Sequence, residues 1–318
     1  MARESTRKPN ALTLAIDSWQ RRHPKAGFIP AIIRKYLDDE AGYRAALLAY
    51  YGFLSIFPLL LVLTTVFRIV LHNDPALSER IIHSAVNYFP AVGHDLQESV
   101  HSLGSTGLAL LVGILLTLLG ARGVADVLRN SFDHIWQVPF GRRSRFPASL
   151  LRSFTIIIVG GLSLAITPVF FGYALAFAPN RLFSLLSTVF TAFVLFWILI
   201  FIMKVGTSTR QPFKRIWVGA LVAVVSLGIL QSIGSIIVAR ELQRLDSLYG
   251  TFALVLGLIF WLYLQAQVLM FCLEIDSVRH FKLWPRTLAP PDTPLTEADR
   301  AAYRLYSDRA RYHDADLS

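Results

Sequence analysis

The chain has 318 residues, 54% of them hydrophobic and only 16% charged, with a formal net charge of +10. Soluble domains carry about 25% charged residues, so this balance excludes an ordinary water-soluble globule and points to a membrane class. The lone cysteine, Cys272, excludes an intrachain disulfide framework, and its place in an apolar run reads as packed rather than reactive.

Residues 1–44 are polar and basic and are expected to hold no secretory signal, because the patch ALTLAI is too short and is stopped by Asp17. Leu12, Ala15, Ile16 and Trp19 recur at helical spacing, as do Phe28, Ile32, Ile33, Tyr36 and Leu37. Arg21, Arg22, Arg34 and Lys35 lie among them. Two readings fit this pattern equally: amphipathic helices on an anionic cytoplasmic leaflet, or helices packed against the protein's own loops.

The run from Ala45 to Leu71 has no charge before Arg68 and is long enough for the ~20 apolar residues that a membrane-crossing helix needs. Ala41, Ala45, Ala49 and Gly52 form a small-residue stripe on it, which lets a second helix come close in lipid. Pro58 predicts a kink. Residues 72–106 read as a polar loop with a short amphipathic helix marked by Leu96, Val100 and Leu103. A second span over about Gly107–Gly120 must borrow flanking residues, and its extension carries Arg122 and Asp126 four apart, close enough to pair.

Four more runs follow, at about Ser153–Ala178, Leu182–Val205, Ile216–Ala239 and Leu248–Ile275. Gly160, Gly161 and Pro168 predict a bend in the third span. Gly219, Ala223, Gly228, Ser232 and Ser235 in the fifth, with Gly250 and Gly257 in the sixth, predict close helix contacts. Gln231, Gln265 and Gln267 place polar groups within the last two. The predicted architecture is therefore all-α: a polytopic bundle of six transmembrane helices over 45–275. It is flanked by a basic amphipathic N-terminal segment at 1–44 and a polar tail at 276–318, helical near Thr296–Tyr306.

Charge sets the expected orientation. Of the 31 Lys and Arg, nine precede the first span, six lie in the second loop, four around the fourth and seven in the tail. By the positive-inside rule both termini are expected to be cytoplasmic, so the basic balance calls for no nucleic acid as partner.

With those runs on the page, LLAYYGFLSIFPLLL, FDHIWQVP and YGTFALVLGLIFWLYLQAQVLMFCLEI resemble the YihY/BrkB family of bacterial inner-membrane proteins, over most of residues 41–280. The resemblance implies six transmembrane helices in the inner membrane with both ends inside. The chain departs from the family's usual pattern at Asp133, where Asn is common, and at Cys272 and Leu273, where Gly-Ala is common. An older label of the family is ribonuclease BN. Against it, hydrolytic nucleases need clustered metal-holding or acid–base side chains, whereas Asp126, Asp133, His23, His134 and His280 show no such spacing. His72, His83, His94 and His101 likewise lack zinc-motif spacing. No catalytic residue, metal site or cofactor is expected.

The candidate site residues are charges near membrane depth, which are costly there and mark pathways or partners. Arg68 either snorkels to the outer interface or attracts an anion at a cavity mouth. Glu274 matches the Glu that ends the last helix in the resembling family. It is expected to clamp helices against Arg122, Arg129 or Lys204, with an anion gate and plain solvation as the alternatives. Two functions stay open: transport or flipping of an amphipathic or anionic envelope substrate such as a lipid, and a non-transporting scaffold or envelope-integrity factor. No GxxxxGK[ST] motif for an ATP-driven pump is present in the sequence.

Overall fold

The computed structural model describes residues 11–70, 107–176, 181–249, 252–287 and 294–310. Nine α-helices lie in them: α1 (Ala11–Arg22), α2 (Phe28–Asp38), α3 (Ala41–Val70), α4 (Gly107–Ile135), α5 (Ala148–Ala176), α6 (Arg181–Gly206), α7 (Phe213–Tyr249), α8 (Phe252–Phe281) and α9 (Glu297–Ala310). No strand occurs among the described residues. The expected short helix at Leu96–Leu103 and the four loop histidines lie outside them.

The six long helices, of 26 to 37 residues, stand where the six apolar runs were expected. They form a closed ring in chain order: each packs on the next, and α8 returns to pack on α3. Three described segments are long and apolar enough to cross a membrane: Leu185–Gly206, Phe213–Gly234 and Val255–Phe281.

Side-chain size is distributed as lipid requires. Between the helices lie small residues, with Ala41, Ala45 and Ala49 of α3 buried as the small-residue stripe predicts. A Cβ at Gly120 or Gly123 of α4 would fall within 2.6 Å of Ser55 or 2.2 Å of Tyr51 on α3. Such approach strengthens dispersion contacts where no hydrophobic drive separates helix from lipid. Large apolar residues point outward instead, as with Leu221, Val225, Ile229 and Ile233 at four-residue steps along α7. A water-facing surface does not sustain a stripe of that kind.

The α4 helix runs unbroken to Ile135, so the second span and the extension that carries Arg122 and Asp126 form one continuous helix, as their four-residue spacing implied. The α5 helix continues through Pro168 to Ala176, and a Cβ at Gly160 or Gly161 would meet nothing within 4 Å. On α7 only part of the predicted small-residue stripe touches a neighbour. Gly219 and Ala223 face inward, whereas Gly228 looks onto open space and Ser232 is exposed.

The flanking segments fold against one another and against the end of the ring. Ala31 and Ile32 of α2 share a buried cluster with Val278, Leu283 and, on α9, Ala302. Of the two readings for the 28–37 stretch, this face packs on the protein itself, while Ile29, Ile33 and Leu37 remain exposed. Gln20 and Arg21 of α1 donate to the carbonyls of Arg286 and Pro294. The α9 helix starts with a capping box: Thr296 Oγ1 accepts from the Asp299 N–H, and Asp299 accepts from the Thr296 N–H. Burial opposes ionisation of Asp299, but hydrogen bonds from Thr287 and Thr296 prevail and hold its carboxyl below the ordinary value.

Candidate functional site

The polar centre of the molecule lies where four chain segments end together. The α2 helix stops at Asp38, and Glu40 takes a left-handed φ of 52° that lets α3 begin at Ala41. At the end of α4, Gln137 takes the same conformation, also at φ 52°. Such φ values are uncommon outside glycine and persist where the surroundings fix them. Here the Gln137 amide does so, donating to both oxygens of Asp39 at 2.9 and 3.1 Å.

Lys35 lies at the core of this site with no exposed surface. Its ammonium has three hydrogens and three acceptors: Asp39 Oδ2 at 2.5 Å, Glu274 Oε2 at 2.8 Å and the Ile135 carbonyl at 3.0 Å. Ile135 ends α4, so its carbonyl has no partner within the helix and lies at the negative end of the helix dipole. The Ser277 hydroxyl donates to the same carbonyl at 2.8 Å. Asp39 and Glu274 are also fully buried. Burial by itself would lower the Lys35 pKa, but the two carboxylates outweigh it and hold the ammonium above its ordinary value.

A second layer surrounds this core. Arg44 of α3 lies 2.6 Å from His134 Nδ1, and Arg309 of α9 lies 2.8 Å from His134 Nε2. Guanidiniums only donate, and a neutral imidazole offers one lone pair, so one of these contacts is a hydrogen bond and the other is not. Burial first, then the cations Arg44, Arg309 and Lys35, pushes His134 down to about 2, which keeps it neutral. With Nδ1 accepting from Arg44, the Nε2–H faces Asp39 Oδ1 at 3.8 Å. Arg309 Nη1 lies at the same 3.8 Å from that oxygen. Below this layer, Arg286 joins Asp38 at 2.8 Å and Asp299 at 3.3 Å, tying α2 to α9.

Of the residues singled out from sequence, Glu274 alone enters the cluster, and its partner is not the expected one. Arg122 pairs with Asp126 at 3.7 Å, but the Arg122 side chain is largely exposed and that of Asp126 partly so. Asp126 accepts from Ser153, and Arg129 donates to the Ser149 carbonyl, so both serve the α4–α5 contact. Lys204 is exposed. The clamp onto Glu274 comes instead from Lys35, 239 residues away, because α2 folds back across the end of α8. The Arg68 side chain lies outside the described residues. Lys35 was legible in one respect: it falls at helical spacing with Ala31, Ile32 and Tyr36, a charge in the middle of an apolar face.

Asp133 binds the neighbouring loop. Its carboxylate accepts from both the N–H and the hydroxyl of Ser208, each at 2.6 Å. Arg279 donates to the Lys214 carbonyl. The N-terminal segment, the second loop, the fourth loop and the tail, which carry most of the basic residues, therefore meet at one end of the ring. Among the described residues no group of three or more His, Cys, Asp and Glu is placed to hold a metal ion.

Fold and site together define a helical membrane protein whose long helices are tied at one end by its own terminal segments through buried ion pairs. The sequence matches the family described as Virulence factor BrkB over residues 32–292, and the chain belongs to that family. A UPF0761 membrane protein of Chlorobium luteolum is 26% identical over 301 residues, covering 88% of this chain and 66% of its own length. Another, from Psychrobacter sp., is 25% identical over 284 residues, with 80% and 48% covered. A third, from Vibrio vulnificus strain YJ016, is 26% identical over 278 residues, with 81% and 84% covered. The chain thus spans about two thirds and about half of the first two relatives. These relatives are named as membrane proteins, and no solved structure matches the chain.

Proposed function

We propose that all six long helices cross a bacterial inner membrane with both termini in the cytoplasm, and that the protein moves an amphipathic or anionic envelope substrate, such as a lipid, across it. The observation that carries this reading is the contrast between the outward apolar stripes and the charged interior at one end of the ring. A purely lipid-facing bundle has no need of Lys35, Asp39 and Glu274 at zero exposure, since intramembrane and near-membrane ions are costly and accompany pathways. The basic residues gathered at that end suit anionic headgroups of the inner leaflet. Arg68, near the far end of α3, is assigned to the substrate. If its planar fork holds an anionic headgroup, Arg68→Lys loses function while expression persists. Wild-type function in Arg68→Ala removes that role.

The decisive experiment is reconstitution into vesicles containing a fluorescent anionic phospholipid, with a membrane-impermeant quencher reading the outer leaflet. Quenching beyond the half expected for a static bilayer supports transport. Vesicles with protein that behave like empty ones overturn it and leave the scaffold reading.

A further inference from the structure

Glu274 has one oxygen on Lys35, but the other, Oε1, is buried and accepts no hydrogen bond. A carboxylate in that situation lacks half of its donors. The fully buried core also holds two carboxylates, Asp39 and Glu274, against the single ammonium of Lys35. One negative charge is left over. Two cations flank the core: Arg44 Nε donates to the Asp39 carbonyl at 3.3 Å, and Arg309, which is partly exposed, lies 3.8 Å from Asp39 Oδ1.

A polar line leads away from this position into the apolar part of α8. Glu274, Gln267 and Tyr263 are spaced seven and four residues apart, so they share one face of the helix. Tyr36 of α2 lies against that face, its ring stacked on Phe271 with centroids 3.9 Å apart. The Tyr36 hydroxyl is buried and makes no hydrogen bond. Burial, then Tyr263 and Glu274, raises its pKa, which places the hydroxyl in the field of both groups. Two unpaired buried oxygens thus lie beside one helix face that carries further polar side chains toward the middle of the span.

We propose that Glu274 is a proton-binding site at the cytoplasmic end of this polar line, with the proton and the Arg309 guanidinium as alternative neutralisers of the same excess charge. A proton arriving from water or along the line adds to Oε1, forming an O–H bond and discharging the carboxylate. It becomes the donor that the site lacks, and no electron moves. The core is then neutral without Arg309, so α9 is freer to release. Deprotonation restores the need for Arg309. The groups facing this position are Lys35, Tyr36 and Asp39 from α2, Arg44 from α3, and His134 and Gln137 from the end of α4. Tyr306 and Arg309 face it from α9, and Tyr263 and Asp276 lie on α8 itself. The inference deepens the transport reading by naming its coupling ion, and it is tested without any substrate.

The experiment is infrared difference spectroscopy of the purified full-length protein across a pH titration, following the carbonyl band of protonated carboxyls. A band that fades with rising pH in the wild type and is missing in Glu274→Gln is expected. Arg309→Gln, on the partly exposed side, is expected to raise the midpoint of that band, because it removes a cation 3.8 Å from Asp39 and leaves the excess negative charge of the core less neutralised. It also serves if Glu274→Gln does not fold, read with isotopically labelled glutamate carboxyls. Identical spectra in wild type and Glu274→Gln, or a midpoint unmoved in Arg309→Gln, overturn the proposal. Either outcome leaves the vesicle assay free to support or refute transport, so the two readings fail separately.

Discussion

Lys35 is held by what neutralises it: all three of its hydrogens are used and none reaches water. Lys35→Met removes the cation and leaves Asp39 and Glu274 facing each other in a buried site. Losing one member of a buried pair costs ~3–5 kcal/mol, so a clear fall in thermal midpoint in detergent is expected. Adding Glu274→Gln removes one of the stranded charges, and the double variant should be more stable than the sum of the two single effects. Additive losses would show that the groups are not coupled. His134 gives a pH test. Its folded pKa lies far below its ordinary 6.5, so the unfolded chain binds a proton that the folded chain refuses. The His134 contribution to stability is therefore complete above about pH 6.5 and declines as pH falls, at up to ~1.4 kcal/mol per pH unit. Melting curves at pH 7.5 and 5.5 should show a smaller acid loss in His134→Asn, which keeps an acceptor for Arg44. An unchanged loss would mean that His134 is not the group responsible.

At the scale of elements, the α7–α8 contact depends on the absence of side chains at particular places. A Cβ on Gly219 would lie 2.4 Å from the Cys272 carbonyl and 2.3 Å from Asp276 Oδ2, and the Gly219 N–H donates to Asp276 at 2.8 Å. A backbone oxygen of α8 cannot step aside without moving the helix. Gly228, nine residues further along α7, has open space instead. The two alanine variants should therefore diverge in melting temperature. Gly219→Ala destabilises, while Gly228→Ala gains about 0.5–1 kcal/mol from reduced backbone entropy and better helix propensity. Equal effects at both positions would contradict the α7–α8 packing.

For the whole molecule, the testable property is sidedness. The basic N-terminal segment, second loop, fourth loop and tail converge at one end through Arg44–His134, Asp133–Ser208, Arg279–Lys214 and Arg309–His134 contacts. The positive-inside rule assigns that end to the cytoplasm. Reporter fusions after Arg143 and after Asp95 should accordingly report opposite compartments, cytoplasmic for Arg143. Matching signals would break the six-crossing arrangement.

Composition and periodicity by themselves determined the all-helical membrane class, the places of the six long helices and the tail helix. These rest on local properties: unbroken apolar runs and small-residue stripes act within a few turns of one segment. The family was legible for the same reason, since LLAYYGFLSIFPLLL and the last apolar run are local patterns. Tertiary structure alone decided what holds Glu274. Arg122, Arg129 and Lys204 were nearer in chain order and equally basic, but a helix face is chosen by packing, and theirs turn toward α5 or solvent. For Lys35 the pattern left leaflet binding and packing on the protein equally open, and the burial of the Ala31, Ile32 and Tyr36 face of α2 against the rest of the protein decided between them and carried the ammonium in with it. An apolar face can be read from its own segment, whereas the partner of a buried charge depends on which distant segment closes over it.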